Sequence, residues 1–412
     1  MSLIRKGKVI ASGPSVREVR RPLPLVLLLA ACASPHALPE KPLPPTTAAP
    51  GVASWSPWPQ ASHDARRSGS STAHGPTTGT VRWTRTLEGN VTPGPVVGVD
   101  GTIVAASNAG VLHGLDPATG ADRWTFDGGG SYGIDLSTSP AVLPDGTVLW
   151  PGPHNNLYAL DARGRLLWKE ALRGQPSSPA VDGTRIVVGD SQGGVTAFAV
   201  TAGGHRRLWS VDLGDSSYGS VALSPTDPHR SYQTVGHALV ALDDGTVAWR
   251  KELREVTEVS PAVGPDGTVV VGDNSADEYA FHPDGRAAWR YQHGGQTYSS
   301  PVVSADGIAW FGDHRAYVTG VDVRTGTVRA RFRGESVEPP HGPSVGVWTS
   351  PVIDADHRVY WGTRLGHVYG RAADGTLLFD VATGATVDSY PALTADGLLV
   401  VGVTDGRLLA LS

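Results

Sequence analysis

A tryptophan that returns about every forty residues limits this chain more than any other feature. Trp83, Trp124, Trp168, Trp209, Trp249 and Trp289 stand 41, 44, 41, 40 and 40 residues apart. A glycine turn precedes most of them, as in Thr119-Gly120 before Trp124, Asp244-Gly245 before Trp249 and Asp284-Gly285 before Trp289. The slot continues with other residues: Thr325-Gly326 leads to Ala330, and Asp374-Gly375 leads to Phe379. Self-similarity at such a period, with strand-like content, specifies a propeller or a solenoid.

A second marker opens each unit. It is a small residue, usually a proline, and a short apolar run: Pro95-Val96-Val97, Ser139-Pro140-Ala141, Ser178-Pro179-Ala180, Ser220-Val221-Ala222, Ser260-Pro261-Ala262, Ser300-Pro301-Val302, Ser350-Pro351-Val352 and Tyr390-Pro391-Ala392. Proline at the first residue of a strand removes only a donor that the ladder can spare. An Asp-Gly turn often follows, as at Asp100-Gly101, Asp145-Gly146, Asp266-Gly267, Asp306-Gly307 and Asp396-Gly397. Glycine there supplies the positive φ of a tight hairpin. Two further strands and the tryptophan strand complete the unit. The expectation is eight four-stranded antiparallel blades, each too thin to bury its faces without its neighbours.

The two ends of the repeat array separate ring from solenoid. The last unit runs out at Arg407-Leu408-Leu409-Ala410-Leu411 with no tryptophan strand after it, while Val81-Arg82-Trp83 stands before the first unit with no blade of its own. In a closed ring the first strand completes the last blade and hides two raw sheet edges. The predicted fold class is therefore all-β, an eight-bladed β-propeller closed by its N-terminal strand, over residues 55–412. Tryptophans on outer strands should cover the seams between blades, and Ala330 should mark a weaker or differently packed seam.

Residues 1–31 read as an address. Arg17, Arg20 and Arg21 precede Leu23-Pro24-Leu25-Val26-Leu27-Leu28-Leu29-Ala30-Ala31-Cys32. The apolar run is shorter than the ~20 residues a membrane-spanning helix needs, and it ends in small residues, as secretory signals do. Leu29-Ala30-Ala31-Cys32 resembles the bacterial lipobox, in which the cysteine is lipidated and becomes the mature N-terminus. Cys32 is the single cysteine, so no disulfide can form within the chain. Residues 32–54 carry Pro35, Pro39, Pro42, Pro44, Pro45 and Pro50 and read as an extended linker. By the same resemblance, Ala33 after the cysteine implies an outer-membrane anchor facing the periplasm. Beyond residue 31 the chain holds 28 basic and 38 acidic groups. That balance excludes a nucleic-acid backbone as main partner.

The repeat core Ala159-Leu160-Asp161…Gly164…Trp168 resembles the PQQ-like propeller repeat of quinoprotein dehydrogenases and of the BamB lipoproteins of outer-membrane barrel assembly. Trp58-Pro59…His63-Asp64-Ala65-Arg66-Arg67-Ser68-Gly69 resembles the segment that opens many such domains. The repeats specify the fold, whereas function resides in the sites placed on it. Quinoprotein dehydrogenases carry an adjacent Cys-Cys disulfide against the quinone, and this chain has no cysteines for one. The acidic stretch Asp273-Asn274-Ser275-Ala276-Asp277-Glu278 lacks the spacing of an EF-hand loop and reads as a solvated hairpin turn. Gly189-Asp190-Ser191-Gln192-Gly193 matches a nucleophile-elbow string, but it falls in a hairpin rather than a strand-to-helix turn. No residue set points to catalysis or to a metal.

What remains is one face of the ring. The loops entering the inner strands carry Tyr132, Tyr218, Tyr298, Trp348 and Tyr390. The loops between second and third strands on that face carry His154, Asn155, Asp273, Asp313, His314, Arg315 and Arg364. Aromatics ringed by polar loops point to recognition of a protein partner. The resemblance implies a non-catalytic, lipid-anchored envelope scaffold without a cofactor, BamB-like in outer-membrane protein assembly. The alternatives are a PQQ-dependent dehydrogenase holding PQQ with calcium, for which Arg315 and Arg364 are the candidate arginines, and a carbohydrate- or cell-wall-binding propeller.

Overall fold

A computed structural model describes residues 56–131, 138–201, 204–334 and 346–412. The expected leader, Cys32 and the linker lie outside them. The described residues form eight four-stranded sheets, antiparallel throughout. Blades 1 to 7 span residues 96–127, 141–171, 180–212, 222–252, 262–292, 302–333 and 352–382. Each runs outward in chain order. Blade 8 is composite: Ala392–Leu393, Leu399–Gly402 and Arg407–Leu411 are completed by Val81–Thr86. Val81 pairs with Leu411, Trp83 with Ala410 and Thr86 with Arg407. Thr80 and Ser412 exchange both backbone bonds, at 3.0 and 2.9 Å. The ring closes as the sequence predicts.

Inner strands are short because they crowd the axis. Most are two residues long, such as Val96–Val97, Ala141–Val142 and Val302–Val303, and their apolar side chains are fully buried. The tryptophans seal the outer seams. A Cβ on Gly164 of blade 2 would stand 2.5 Å from Cε3 of Trp124 in blade 1, so only glycine lets the indole lie flat on that turn. The Nε1 groups of Trp83, Trp249 and Trp289 donate to the carbonyls of Pro117, Pro283 and Val323 in the next blade, at 2.9, 2.9 and 2.7 Å. The Ala330 seam is packed differently. Phe332 stacks on Trp310 at 5.8 Å and on Trp361 at 6.4 Å, and replaces the missing indole.

One mouth of the ring is stopped by the chain itself. The segment from Trp58 to Ser71 visits the inner strands blade by blade. The N–H groups of Val97, Val142, Leu223, Val263 and Ile353 donate to the carbonyls of Trp58, Pro59, Ala65, Arg66 and Gly69 at 2.7–2.9 Å. For blade 3 the Gln60 amide takes that role and bonds both N–H and C=O of Val181, at 2.9 and 3.1 Å. In blade 6 Val302 packs against Gly69, whose missing Cβ would come within 2.6 Å. Arg67 is 2% exposed and points from this plug up the axis. Its guanidinium donates to the carbonyls of Val221, Ala61 and Ser178 at 2.9, 2.9 and 3.0 Å. Burial pushes its pKa down to about 10, which still leaves it charged near neutrality. Asp64 orders the turn by accepting from the Arg66 and Ser68 backbone, at 3.2 and 3.0 Å. Burial opposes its ionisation, but Arg66 and His63 hold its carboxyl below the usual range.

Candidate functional site

Among the described residues the opposite mouth is open, and its walls follow from the repeat register. The small residue that opens each unit forms a ring around the axis. The N–H groups of Ser139, Ser178, Ser220 and Ser260 donate to the Oγ atoms of Ser178, Ser220, Ser260 and Ser300 of the next blade, at 2.9, 3.2, 2.8 and 3.0 Å. Ser350 Oγ continues the ring to Ser300 O at 2.9 Å. Two positions depart from serine, and they fit each other. Tyr390 holds the blade 8 position and Gly94 the blade 1 position, where a Cβ would lie 2.8 Å from Tyr390 O. The Tyr390 phenol faces Ser300 and Arg67, and burial pushes its pKa up. It closes the floor above Arg67.

The rim lies two residues before each ring position. Tyr218, Glu258, Tyr298, Trp348 and Asp388 stand there in blades 4 to 8, and Thr92 stands there in blade 1. With Asn90, Arg364, Thr386, Thr404 and the ring below, they enclose a blind cavity of about 790 Å³. Its wall over blades 6 and 7 is a continuous stack. Tyr298 lies 4.7 Å from Trp348 and 4.9 Å from His314, and Arg364 Cζ sits 3.9 Å over the Trp348 ring. Burial, helped by Arg364, depresses the His314 pKa and holds the imidazole neutral. Arg364 Nε lies 3.4 Å from Asp388 Oδ1. Burial raises the Asp388 pKa despite that guanidinium. Burial and Glu258 raise that of Tyr298.

The structure thus gathers Tyr218, Tyr298, Trp348, Tyr390 and Arg364 around one cavity, with His314 stacked behind. Tyr390 sits one level deeper than its grouping with the rim aromatics implies. Tyr132 lies outside the described residues. His154 and Asn155 form a turn at positive φ, 60° and 58°, and do not line the cavity. Arg315 is exposed and lies over Gly294 and Gly295. Asp273 and Asp313 are each 1% exposed and hold their own loops. Asp313 Oδ1 accepts from the Arg315 and Tyr317 N–H groups at 2.8 and 3.0 Å, and Asp273 Oδ2 accepts from Arg254 and Glu255, both at 3.0 Å. The expected solvated turn at 273–278 is instead a buried seam, with Asp277 and Glu278 fully inside. Asp277 faces Arg254 and Arg290 at 3.7 and 3.8 Å and Glu278 faces His293 at 3.6 Å, and sequence periodicity carries no sign of that. Glu258 and Asp388 were missed, although alignment of the repeats places them in the same slot as Tyr218 and Trp348.

A second depression, of about 820 Å³, lies at the plugged mouth beside Ser56, His63, Arg66 and Ser71. Its charges answer each other: Arg66 to Asp64 at 3.2 Å, His357 to Asp306 at 3.2 Å and Arg358 to Asp354 at 3.2 Å. The open funnel is the better candidate.

An eight-bladed propeller with a blind polar funnel is the class that fold and site define. A family model described as outer membrane protein assembly factor BamB matches residues 67–134, 109–224 and 199–412. The chain belongs to this family of PQQ-like repeat propellers. It is 26% identical over 196 residues to the outer membrane protein assembly factor BamB of Nitrosomonas eutropha (strain DSM 101675 / C91 / Nm57), covering 44% of this chain and 45% of that one. It is 29% identical over 161 residues to the quinohemoprotein alcohol dehydrogenase of Comamonas testosteroni, covering 33% of this chain and 22% of that enzyme. The chain therefore spans less than half the length of either curated relative. The crystal structure of BamB from Moraxella catarrhalis superposes with a TM-score of 0.61 at 16% identity, over 81% of this chain and 97% of that one, which speaks to the fold.

The funnel does not suit a PQQ cofactor. A tricarboxylate would meet one arginine, Arg364, and two carboxylates, Glu258 and Asp388. Arg315, the other candidate, does not line the cavity. Arg364, Tyr298 and His314 all pack against the Trp348 ring, so the indole is already engaged. Among the described residues, no group of three or more His, Cys, Asp or Glu is arranged to hold a metal ion such as calcium.

Proposed function

We propose that this chain is a non-catalytic, protein-binding scaffold of the bacterial cell envelope. It is exported, lipidated at Cys32, anchored at the outer membrane facing the periplasm, and assists outer-membrane protein assembly in a BamB-like way. The observation that carries the reading is the contrast between the mouths within a BamB-family ring. One is filled by the chain's own backbone, and the other is left as a blind cavity walled by aromatic and charged side chains. Concave sites with a few convergent polar groups on a rigid frame are where partners are gripped. The test is capture from detergent-solubilised envelope by the tagged full chain, beside a Cys32→Ser form. A stoichiometric envelope protein that the chain retains, and that a Tyr218→Ala, Glu258→Gln pair releases, supports the scaffold. Membrane association unchanged by Cys32→Ser removes the anchor.

The likeness to a quinohemoprotein dehydrogenase favours a second reading, an enzyme using PQQ with calcium. Adding both to the purified protein separates the two. A stabilisation of roughly 3 kcal/mol or more at saturating ligand supports the enzyme, and an unmoved melting temperature supports the scaffold.

A further inference from the structure

We infer that the funnel receives a single cationic side chain, a lysine or arginine borne on an extended segment of the protein partner. This rests on the scaffold reading and gives its site a chemistry.

Charge points the same way at the wall and at the rim. Glu258 and Asp388 line the cavity against one guanidinium, Arg364. That guanidinium is already engaged, 3.9 Å over the Trp348 ring and 3.4 Å from Asp388. Asp388 Oδ1 accepts no hydrogen bond from it, so the carboxylate lacks the donor its burial calls for. The connections into blades 4 and 5 add exposed Asp215 and Glu255, each three residues before the rim residue of its blade, Tyr218 and Glu258. On the same connection as Glu255, Arg254 leans 3.7 Å toward buried Asp277.

Most of the remaining lining is hydroxyls and π faces, with the Asn90 amide beside them. Thr92, Ser220, Ser260, Thr386 and Thr404 offer hydroxyls, and Tyr218 is 46% exposed at the rim. Ammonium and guanidinium groups are pure donors, and tyrosine faces attract them. Carboxylates set between and beside the aromatic side chains, Glu258 next to Tyr298 and Asp388 next to Trp348, complete such a receptor. Beneath the floor, Arg67 is held by backbone carbonyls and screened by Tyr390. It stops a second cation from passing the serine ring and sets the depth of the site. A blind cavity of about 790 Å³ is too small for a folded element and has room for a long side chain with part of the segment that bears it.

The probe is a blocked pentapeptide, acetyl-Gly-Ser-Arg-Ser-Gly-amide, titrated into the purified chain by calorimetry or NMR. Its counterpart carries citrulline, which keeps the shape and loses the charge. The expected result is binding of the arginine peptide with citrulline weaker by about tenfold or more. Glu258→Gln with Asp388→Asn should give a similar loss, and raising salt from about 0.05 to 0.5 M should weaken binding. Asp306→Asn at the plugged mouth should change nothing. Equal binding of both peptides, no arginine binding at about 10 mM, or indifference to the carboxylate pair overturns the inference. So does preference for a neutral oligosaccharide probe. Should envelope capture persist when the peptide arm fails, the scaffold reading stands without its cation. Should both fail, the scaffold reading falls with it.

Discussion

At the plugged mouth the carbonyls of Trp58, Pro59, Ala65, Arg66 and Gly69 meet inner-strand N–H groups of five blades. At the open mouth blades 4 to 8 present side chains that differ from one repeat to the next: Tyr218, Glu258, Tyr298, Trp348, Asp388. The difference lies in what satisfies the backbone. Every buried N–H needs a partner. At one end the chain supplies it in a fixed pattern that leaves little to vary. At the other, the serine ring completes that task one level below the rim, so the rim residues are free of it. Stability should therefore concentrate in the plug and recognition in the funnel.

The strongest way to break that division is Arg67→Met. The side chain keeps its length and loses every donor. Relief of a buried charge works in favour of the variant, but the carbonyls of Val221, Ala61 and Ser178 lose their partner. The second effect should win, with a loss of about 3–5 kcal/mol in denaturant unfolding. A change under roughly 1 kcal/mol would mean the plug does not anchor the ring. Gln60→Leu is the gentler version. It orphans N–H and C=O of Val181, bonded now at 2.9 and 3.1 Å, and should cost about 1–3 kcal/mol. Partner capture should survive in whatever fraction stays folded.

How much of this could be read from the sequence depends on what repeats. The tryptophan slot and the marker that opens each unit recur around the ring, so together they fix blade number, and the single unpaired strand at Val81-Arg82-Trp83 fixes closure because the last unit lacks its counterpart. The plug occurs once. Its contacts join Gln60 to Val181 and Arg67 to Val221, separations of 121 and 154 residues that no periodicity reveals. The rim aromatics were legible because they occupy a common slot. Glu258 and Asp388 share that slot, but a carboxylate in a loop before a strand is indistinguishable in sequence from an ordinary solvated acid. Asp273 and Asp313 read as exposed because Asp in a turn usually is; that backbone closes over each of them is a tertiary fact.

The open mouth is not free of strain. Glu278 is fully buried, with neither oxygen hydrogen-bonded; Oε1 lies 3.6 Å from His293 Nε2. Burial raises its pKa above the ordinary 4.5. The folded protein thus holds this proton more tightly than the unfolded chain does. Its contribution to stability is fullest below pH 4.5 and fades as pH rises through the raised value. Glu278→Gln should flatten that decline and raise stability at neutral pH by about 1–2 kcal/mol. Melting curves between about pH 4 and 8 check it; parallel curves for the two proteins would show that the carboxyl is compensated after all.

The smallest expected effect on stability sharpens the comparison most. Tyr218 is 46% exposed, and its ring takes no part in the Tyr298–Trp348–His314 stack. Truncation to alanine removes no buried contact, so unfolding should shift by less than about 0.5 kcal/mol. Its ring is nonetheless the rim's most open π face, opposite the wall that Arg364 already covers. Capture of the envelope partner should drop by about five- to thirtyfold, the weight of an interfacial tyrosine of 1–2 kcal/mol. Arg67→Met should then show the reverse, lost stability with unaltered affinity per folded molecule. If instead Tyr218→Ala destabilises the ring, or leaves capture untouched, the two mouths are not divided between holding the fold and meeting a partner.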